Sequence, residues 1–271
     1  MSMRVVVVTV AHRGDDARIV HRQSRALLLA GHSVVLVAPD PGAESRGSDP
    51  VGLERVAIRR AVGRRRARSW WEVSRLLGRV CRSADVVIVH DPELVPLVSF
   101  RRLGGATRIW DVHEDYLALV NDTGWIPAFL RTPVRVAIRT LNAIARWRFE
   151  ILVAEASYTK SFPTSIFVPN TTWVDQMPTP VIHPPRVVYV GRVSFDRGLK
   201  EMILLGERFS QNRGPEMVIM GPCDDNCTAT LASAVERGVV SWRGAVPNPQ
   251  VFDVLRGSLV GLVLLHDIAN Y

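Results

Sequence analysis

Residues 187–205 read VVYVGRVSFDRGLKEMILL, and they fit a strand, a glycine turn and a helix in that order. Val187-Val188-Tyr189-Val190 is a short run of β-formers. Gly191 ends it, a loop runs to Gly198, and an apolar helical pattern begins at Leu199 with Met202, Ile203 and Leu205 on one side. A strand that passes through glycines into a helix directs backbone N–H groups and the positive helix end at one point, a layout that binds phosphate. Two guanidinium groups, Arg192 and Arg197, lie in the loop, and guanidinium forms bidentate pairs with phosphate oxygens. An ordinary βα turn with solvated arginines fits the same residues.

The same alternation of β-run and helical stretch runs through the 271 residues, so the expected fold class is α/β with parallel βαβ winding in two domains. Arg4–Val10 is a continuous apolar run, the pattern of a parallel strand buried on both faces. A helix is expected over about Ala17–Ala30, capped by Asp15 or Asp16 and closed by Gly31, followed by a strand over Ser33–Ala38. Further strands are expected at Leu53–Ile58, Ala84–His90, Arg108–Val112, Ile151–Ala154 and Phe167-Val168. A helix is expected up to about Arg82, and an amphipathic one over Phe129–Phe149. The stretch Pro178–Pro185, PTPVIHPP, reads as a linker, which places a first domain over residues 1–180 and a second over 186–271. In the second, strands are expected at Glu216–Met220, Val239–Trp242 and Leu259–Leu265, with helices at Cys227–Glu236 and Pro249–Arg256.

In an open parallel sheet, ligands bind at the carboxyl ends of the strands. His90 and Asp91 follow one strand, and His113, Glu114 and Asp115 follow the next, so polar groups gather where chemistry would take place. Gly14 and Asp16 occupy the first βα loop, where Gly14 is a candidate for close backbone approach and Asp16 serves equally well as a simple cap. His113 is the leading candidate of this set, against the alternative of a surface histidine after a strand. The loop lacks G-x-G-x-x-G, which argues against a dinucleotide enzyme. No Ser-His-Asp order or nucleophile elbow supports a hydrolase.

Composition narrows the partners. The net charge is +8, yet of 34 basic residues only Lys160 and Lys200 are lysine. A nucleic-acid surface ordinarily mixes the two, so no nucleic-acid partner is expected; anionic small molecules or an acidic membrane surface fit better. The basic stretch Arg59–Arg68 beside Trp70-Trp71, and the arginine stripe of the 129–149 helix, suit either peripheral docking on a bilayer or plain solvation. No apolar run approaches the ~20 residues of a membrane span, and Val5–Val10 is too short for a signal peptide, so the expected site is the cytoplasm, possible contact with the inner membrane face included. Cys81, Cys223 and Cys227 fit a reduced compartment. Cys223 and Cys227 bracket Asp224-Asp225-Asn226 without a second ligand pair, so a turn and helix cap are expected there rather than zinc.

These pieces resemble family 4 (group 1) glycosyltransferases of the GT-B fold. The organising stretch is similar to the family's V-G-R-(x)-K/R-G-(x)-L-I signature. D-D-x-R-I at 15–19 and A-G-H-S-V-x-L-V-A-P at 30–39 look like its start, and D-x-H-E-D-Y at 111–116 like its second N-domain motif. Val168-Pro169-Asn170 and W-R-G-A-V-P at 242–247 fall in the family's order. The resemblance implies two Rossmann-type domains, a nucleotide-diphosphate sugar as donor, and transfer to an acceptor hydroxyl with retention. It implies that Arg192 and Arg197, on the turn of Gly191 and Gly198, hold the donor's diphosphate. His113 would face sugar and acceptor, with Gly14, Asp16, His90, Asp91 and Glu114 around the same cleft. No cofactor or catalytic metal is implied. Family members continue into a helix bearing E-x-x-x-x-x-x-x-E, which places the expected donor domain here as incomplete and the expected turnover of this chain as low. A non-catalytic GT-B remnant or binding module, and a two-Rossmann sugar-nucleotide epimerase, are the competing readings.

Overall fold

A computed structural model of the protein describes residues 1–42, 49–60, 66–117, 120, 126–171, 185–246 and 248–266. The proline-rich stretch 178–184, the arginines at 64 and 65 and the last five residues lie outside the described residues. The chain divides into two compact units, Met1–Trp173 and Val174–Tyr271.

The first unit is built on a parallel sheet of seven strands. They are β1 (Arg4–Val8), β2 (Ser33–Pro39), β3 (Leu53–Ile58), β4 (Val86–Val89), β5 (Thr107–Val112), β6 (Glu150–Val153) and β7 (Ile166–Phe167), in the order β3-β2-β1-β4-β5-β6-β7. Val5 pairs in register with Val34 on one side and Val86 on the other, which places β1 at the centre. Its four valines are buried on both faces, as an unbroken apolar run requires when helices cover both sides. Strand order reverses between β1 and β4, the switch point at which such sheets open a crevice at their carboxyl ends.

One face of the sheet packs against α2 (Arg66–Val80), α3 (Leu94–Ser99) and α4 (Ala128–Arg148), through Val73 and Leu77, Leu94, Val95 and Val98, and Ala145. The opposite face receives Ile19 and Val20. Those two lie in a π-helical segment, Ala17–Ser24, that continues as α1, Arg25–Leu29. The segment expected as one α-helix thus opens with a wider turn, a form that recurs at functional sites.

The second unit holds a parallel sheet of β8 (Arg186–Val190), β9 (Glu216–Met220), β10 (Ser241–Trp242) and β11 (Val260–Leu262), in the order β10-β9-β8-β11. α5 (Leu199–Gln211) and α6 (Thr228–Glu236) pack on one face through Leu199, Met202, Leu231 and Ala234. Val254 and Leu255 of α7 (Asn248–Leu255) pack on the other against Val188, Val218 and Met220. β10 and β11 are shorter than their apolar runs, because ladder pairing to β9 and β8 covers only two and three residues.

Candidate active site

At the carboxyl ends of β1, β4 and β5, six side chains from three separate stretches converge. Asp111 is the penultimate residue of β5 and is fully buried. Its two oxygens take a bidentate pair from Arg18, Nε at 3.0 Å and Nη2 at 2.7 Å. Gln23 donates to the same carboxylate at 3.1 Å. His113 Nε2 lies 3.3 Å from Asp111 Oδ2 and 2.9 Å from His90 Nδ1. The His12 ring stands 4.9 Å from that of His113, centroid to centroid. Solvent access falls along the row from His12 through His113 to His90 and Asp111, with side-chain exposures of 27%, 12%, 0% and 0%.

The electrostatics follow from that burial. Desolvation pushes the Asp111 carboxyl up, but the hydrogen bonds from His113 and Arg18 and the neighbouring imidazoles outweigh it and hold it well below the usual carboxylate range. Burial drives His90 well below the ordinary imidazole value; the Asp111 charge opposes this, and His113, His12 and Arg18 reinforce it. His90 is therefore neutral near pH 7, with its Nε2 buried and unbonded among the described residues. Asp111 is an anion clamped by a guanidinium. By type, His90, Asp111 and His113 are metal ligands within reach of one another. Both carboxylate oxygens already face Arg18, and a cation would have to displace that positive group.

Asp91, at the end of β4, is nearly as buried. It accepts from the Thr9 hydroxyl at 2.9 Å and from the Val10 and Ala11 N–H groups, which ties the loop after β1 to β4. Its other oxygen is 3.6 Å from His12 Nε2. Asp16 caps the π-helical segment by accepting from the Arg18 and Ile19 N–H groups. The close approach that glycine permits at Gly14 is to the chain itself: a Cβ there would stand 1.9 Å from the Pro39 carbonyl oxygen. Glu114 is exposed beside the cluster and outside its bonds.

In the second unit, Gly191 and Gly198 both adopt positive φ, 155° and 77°. A Cβ on Gly198 would lie 2.5 Å from Leu264. Much of the loop backbone is internally bonded: Val193 N–H donates to Pro222, Arg197 and Leu199 to Ser194, and Gly198 to Phe195. This fixes the loop shape and leaves anion contact to its side chains rather than to those amides. Arg192 pairs with Asp224 at 2.6 Å and is largely exposed, so its guanidinium stands at the surface where a phosphate would compete with that carboxylate. Lys200 lies 5.3 Å from the Phe195 ring centroid. Cys223 and Cys227 are free, and Cys227 follows the turn that opens α6.

The sequence marks His90, Asp91 and His113 as candidates by their places after strands, but gives no such mark to His12, Arg18, Gln23 and Asp111. One signal was present: a carboxylate interrupting the apolar strand RIWDV, which needs a buried cation to be tolerated.

Two parallel-sheet α/β units with polar groups at the carboxyl ends of the first sheet define the fold class of the GT-B glycosyltransferases. Solved structures bear this out at the level of fold. The chain is similar to the apo lipopolysaccharide outer core galactosyltransferase WaaB, with 14% identity, TM-score 0.55, 96% of this chain and 74% of that one. It is similar to an alpha-glucosyltransferase in complex with UDP-glucose and DNA containing an abasic site, with 12% identity, TM-score 0.53, and coverage of 96% and 72%. Anabaena HepE in complex with UDP and glucose matches with 10% identity, TM-score 0.52, and coverage of 90% and 70%. No family model and no curated protein matches the chain.

Proposed function

We propose that the chain is a glycosyltransferase that uses a nucleotide-diphosphate sugar as donor and transfers to an acceptor hydroxyl. The observation that carries this reading is the glycine-built strand–loop–helix of residues 187–205, with Arg192 exposed on it, in a fold shared with structures that hold UDP or UDP-glucose. Arg192 and Arg197 would neutralise the departing diphosphate, an electrostatic contribution realised as charge develops on the leaving group. His113, oriented by Asp111 and backed by the neutral His90, would position the sugar or the acceptor. The leaving phosphate would take the acceptor proton, so the reading calls for no general base and no metal, and for retention at the sugar. The motif resemblance favours family 4. Acceptor chemistry stays unassigned; the DNA in one neighbour belongs to that protein.

Calorimetric titration with nucleoside diphosphates is the direct test. Charge-assisted hydrogen bonds contribute roughly 1.5–3 kcal/mol, so Arg192→Ala or Arg197→Ala should weaken binding about 10- to 150-fold. Unchanged affinity in both variants would remove the donor site from residues 187–205. Incubation with nucleotide sugars then separates glycosyl transfer from epimer formation and from binding without turnover.

A further inference from the structure

The outward face of α4 and the cavity at its C-terminal end are used by neither site. Phe129, Val136, Thr140, Ala143 and Trp147 follow one another at intervals of seven, four, three and four residues, which stacks them on one side of the helix. That side faces away from the sheet: Phe129 is 78% and Trp147 70% exposed, and Val136 is exposed too. Arg139 and Arg146 flank the ridge, and from Ala128 to Arg148 the helix carries no Asp or Glu. Helix faces that pack on a core bury their apolar stripe; α4 does so through Leu141, Ile144 and Ala145 and carries a second apolar line outside.

Beside the end of the ridge opens a cavity of about 490 Å³, lined by Phe100, Arg101, Arg102, Arg108, Arg148 and the Leu103–Gly105 turn. Four guanidinium groups and no carboxylate line it. Arg108 donates to the Val98 and Arg101 carbonyls and Arg101 to the Ser74 hydroxyl, all neutral acceptors, so these contacts leave the positive charge uncompensated. Phe100 is exposed at its rim, and the Arg148 guanidinium stacks 3.9 Å over the Trp147 ring.

We propose that this face of the first unit docks on an anionic lipid surface, with the ridge Phe129–Trp147 lying in the interface and a phosphate-bearing headgroup seated among Arg101, Arg102, Arg108 and Arg148. The apolar line decides between polyanions. A nucleic-acid backbone gains from arginines but gives Phe129 and Val136 nothing to enter, whereas a bilayer boundary takes both the apolar ridge and its cationic fringe. α4 is far too charged to cross a membrane, and none of the described helices is long and apolar enough to do so. The proposal stands apart from the transferase reading.

Co-sedimentation of the full chain with vesicles tests it, using phosphatidylcholine alone and phosphatidylcholine mixed with phosphatidylglycerol. Binding is expected only to the mixed vesicles, falling as salt rises. Arg102→Ala and Arg148→Ala should each weaken it about fivefold, the ratio that corresponds to about 1 kcal/mol per cation at such a surface. Phe129→Ser and Trp147→Ser should weaken it as well, while the exposed Arg208→Ala of the second unit should leave it unchanged. Circular dichroism confirms that each variant folds, and Arg102→Ala, which alters no core contact, carries the test if Trp147→Ser does not. Equal binding to neutral vesicles, equal loss with Arg208→Ala, insensitivity to the cavity variants, displacement from the mixed vesicles by free inorganic phosphate at constant ionic strength, or preference for duplex DNA over the mixed vesicles would each overturn the proposal.

Discussion

Asp111 and Arg18 are the pair on which the first unit's polar cluster rests. They lie 93 residues apart in sequence, and neither has appreciable contact with solvent. Two buried charges of opposite sign tolerate each other only while both are present; removing one leaves the other desolvated without a partner, at a cost of about 3–5 kcal/mol. Asp111→Asn keeps the shape of the side chain and removes its charge. It should lower the stability of the first unit by that order, read as a drop in the urea midpoint at unchanged slope. A midpoint within experimental scatter of wild type would mean that Arg18 finds another anion or reaches water. The sequence offered half of this arrangement. An aspartate inside RIWDV announces a buried charge, but which of 32 arginines answers it is settled only when β1, its loop and β5 are brought together, and no spacing rule links residues 18 and 111. His12 was hidden for the same reason: in sequence it is a loop histidine, and only the pairing of β1 with β4 sets it beside His113 and Asp91.

At the scale of elements, the parallel strands were legible because burial on both faces imposes an unbroken run of Val, Ile and Leu, and few other elements tolerate VVVV. The strands at the sheet's margins were less so. Leu259–Leu265 is as apolar as a central strand, yet only Val260–Leu262 enter the ladder with β8, which ends at Tyr189, one residue short of the end of β8. The π-helical opening of the first helix was not legible either: Asp16 caps an α-helix and a π-turn alike, and the wider winding shows only when Arg18, Ile19 and Val20 are seen turned into the protein together. β11 has a consequence of its own. Val260, Val263 and Leu265 are exposed along an edge of the second sheet, Val263 at 82%. Exposed apolar edges invite pairing with another chain, and a lysine is a common guard against it. Val263→Lys should therefore reduce self-association of the full chain in sedimentation velocity, with no loss of secondary structure by circular dichroism. Equal association in the variant would place the sticky surface elsewhere.

For the whole molecule, stability against acid should be governed by the first unit. The folded-state value of His90 is depressed, mainly by burial, so the unfolded chain binds a proton there that the folded chain refuses. Its contribution is full above the unfolded value of about 6.5 and is lost as pH falls from there towards the depressed one, with a slope of up to about 1.4 kcal/mol per pH unit. Asp111 adds a second loss. It too is depressed, so its contribution is full above about 3.9, the unfolded value for aspartate, and declines below that. Among the described residues of the second unit nothing comparable is buried; its cores consist of apolar side chains and two-residue to five-residue ladders. The first unit has its own hydrophobic clusters on both faces of its sheet, and at 173 residues it falls within the usual range of an autonomous domain. Residues 1–173 expressed alone should then unfold cooperatively and reproduce the acid limb seen in the full chain. His90→Gln should flatten that limb between pH about 6.5 and 4 in both, measured as urea midpoint against pH. A fragment that unfolds without a cooperative transition would show that its clusters do not suffice, and a limb that survives His90→Gln would assign the lost stability to another group.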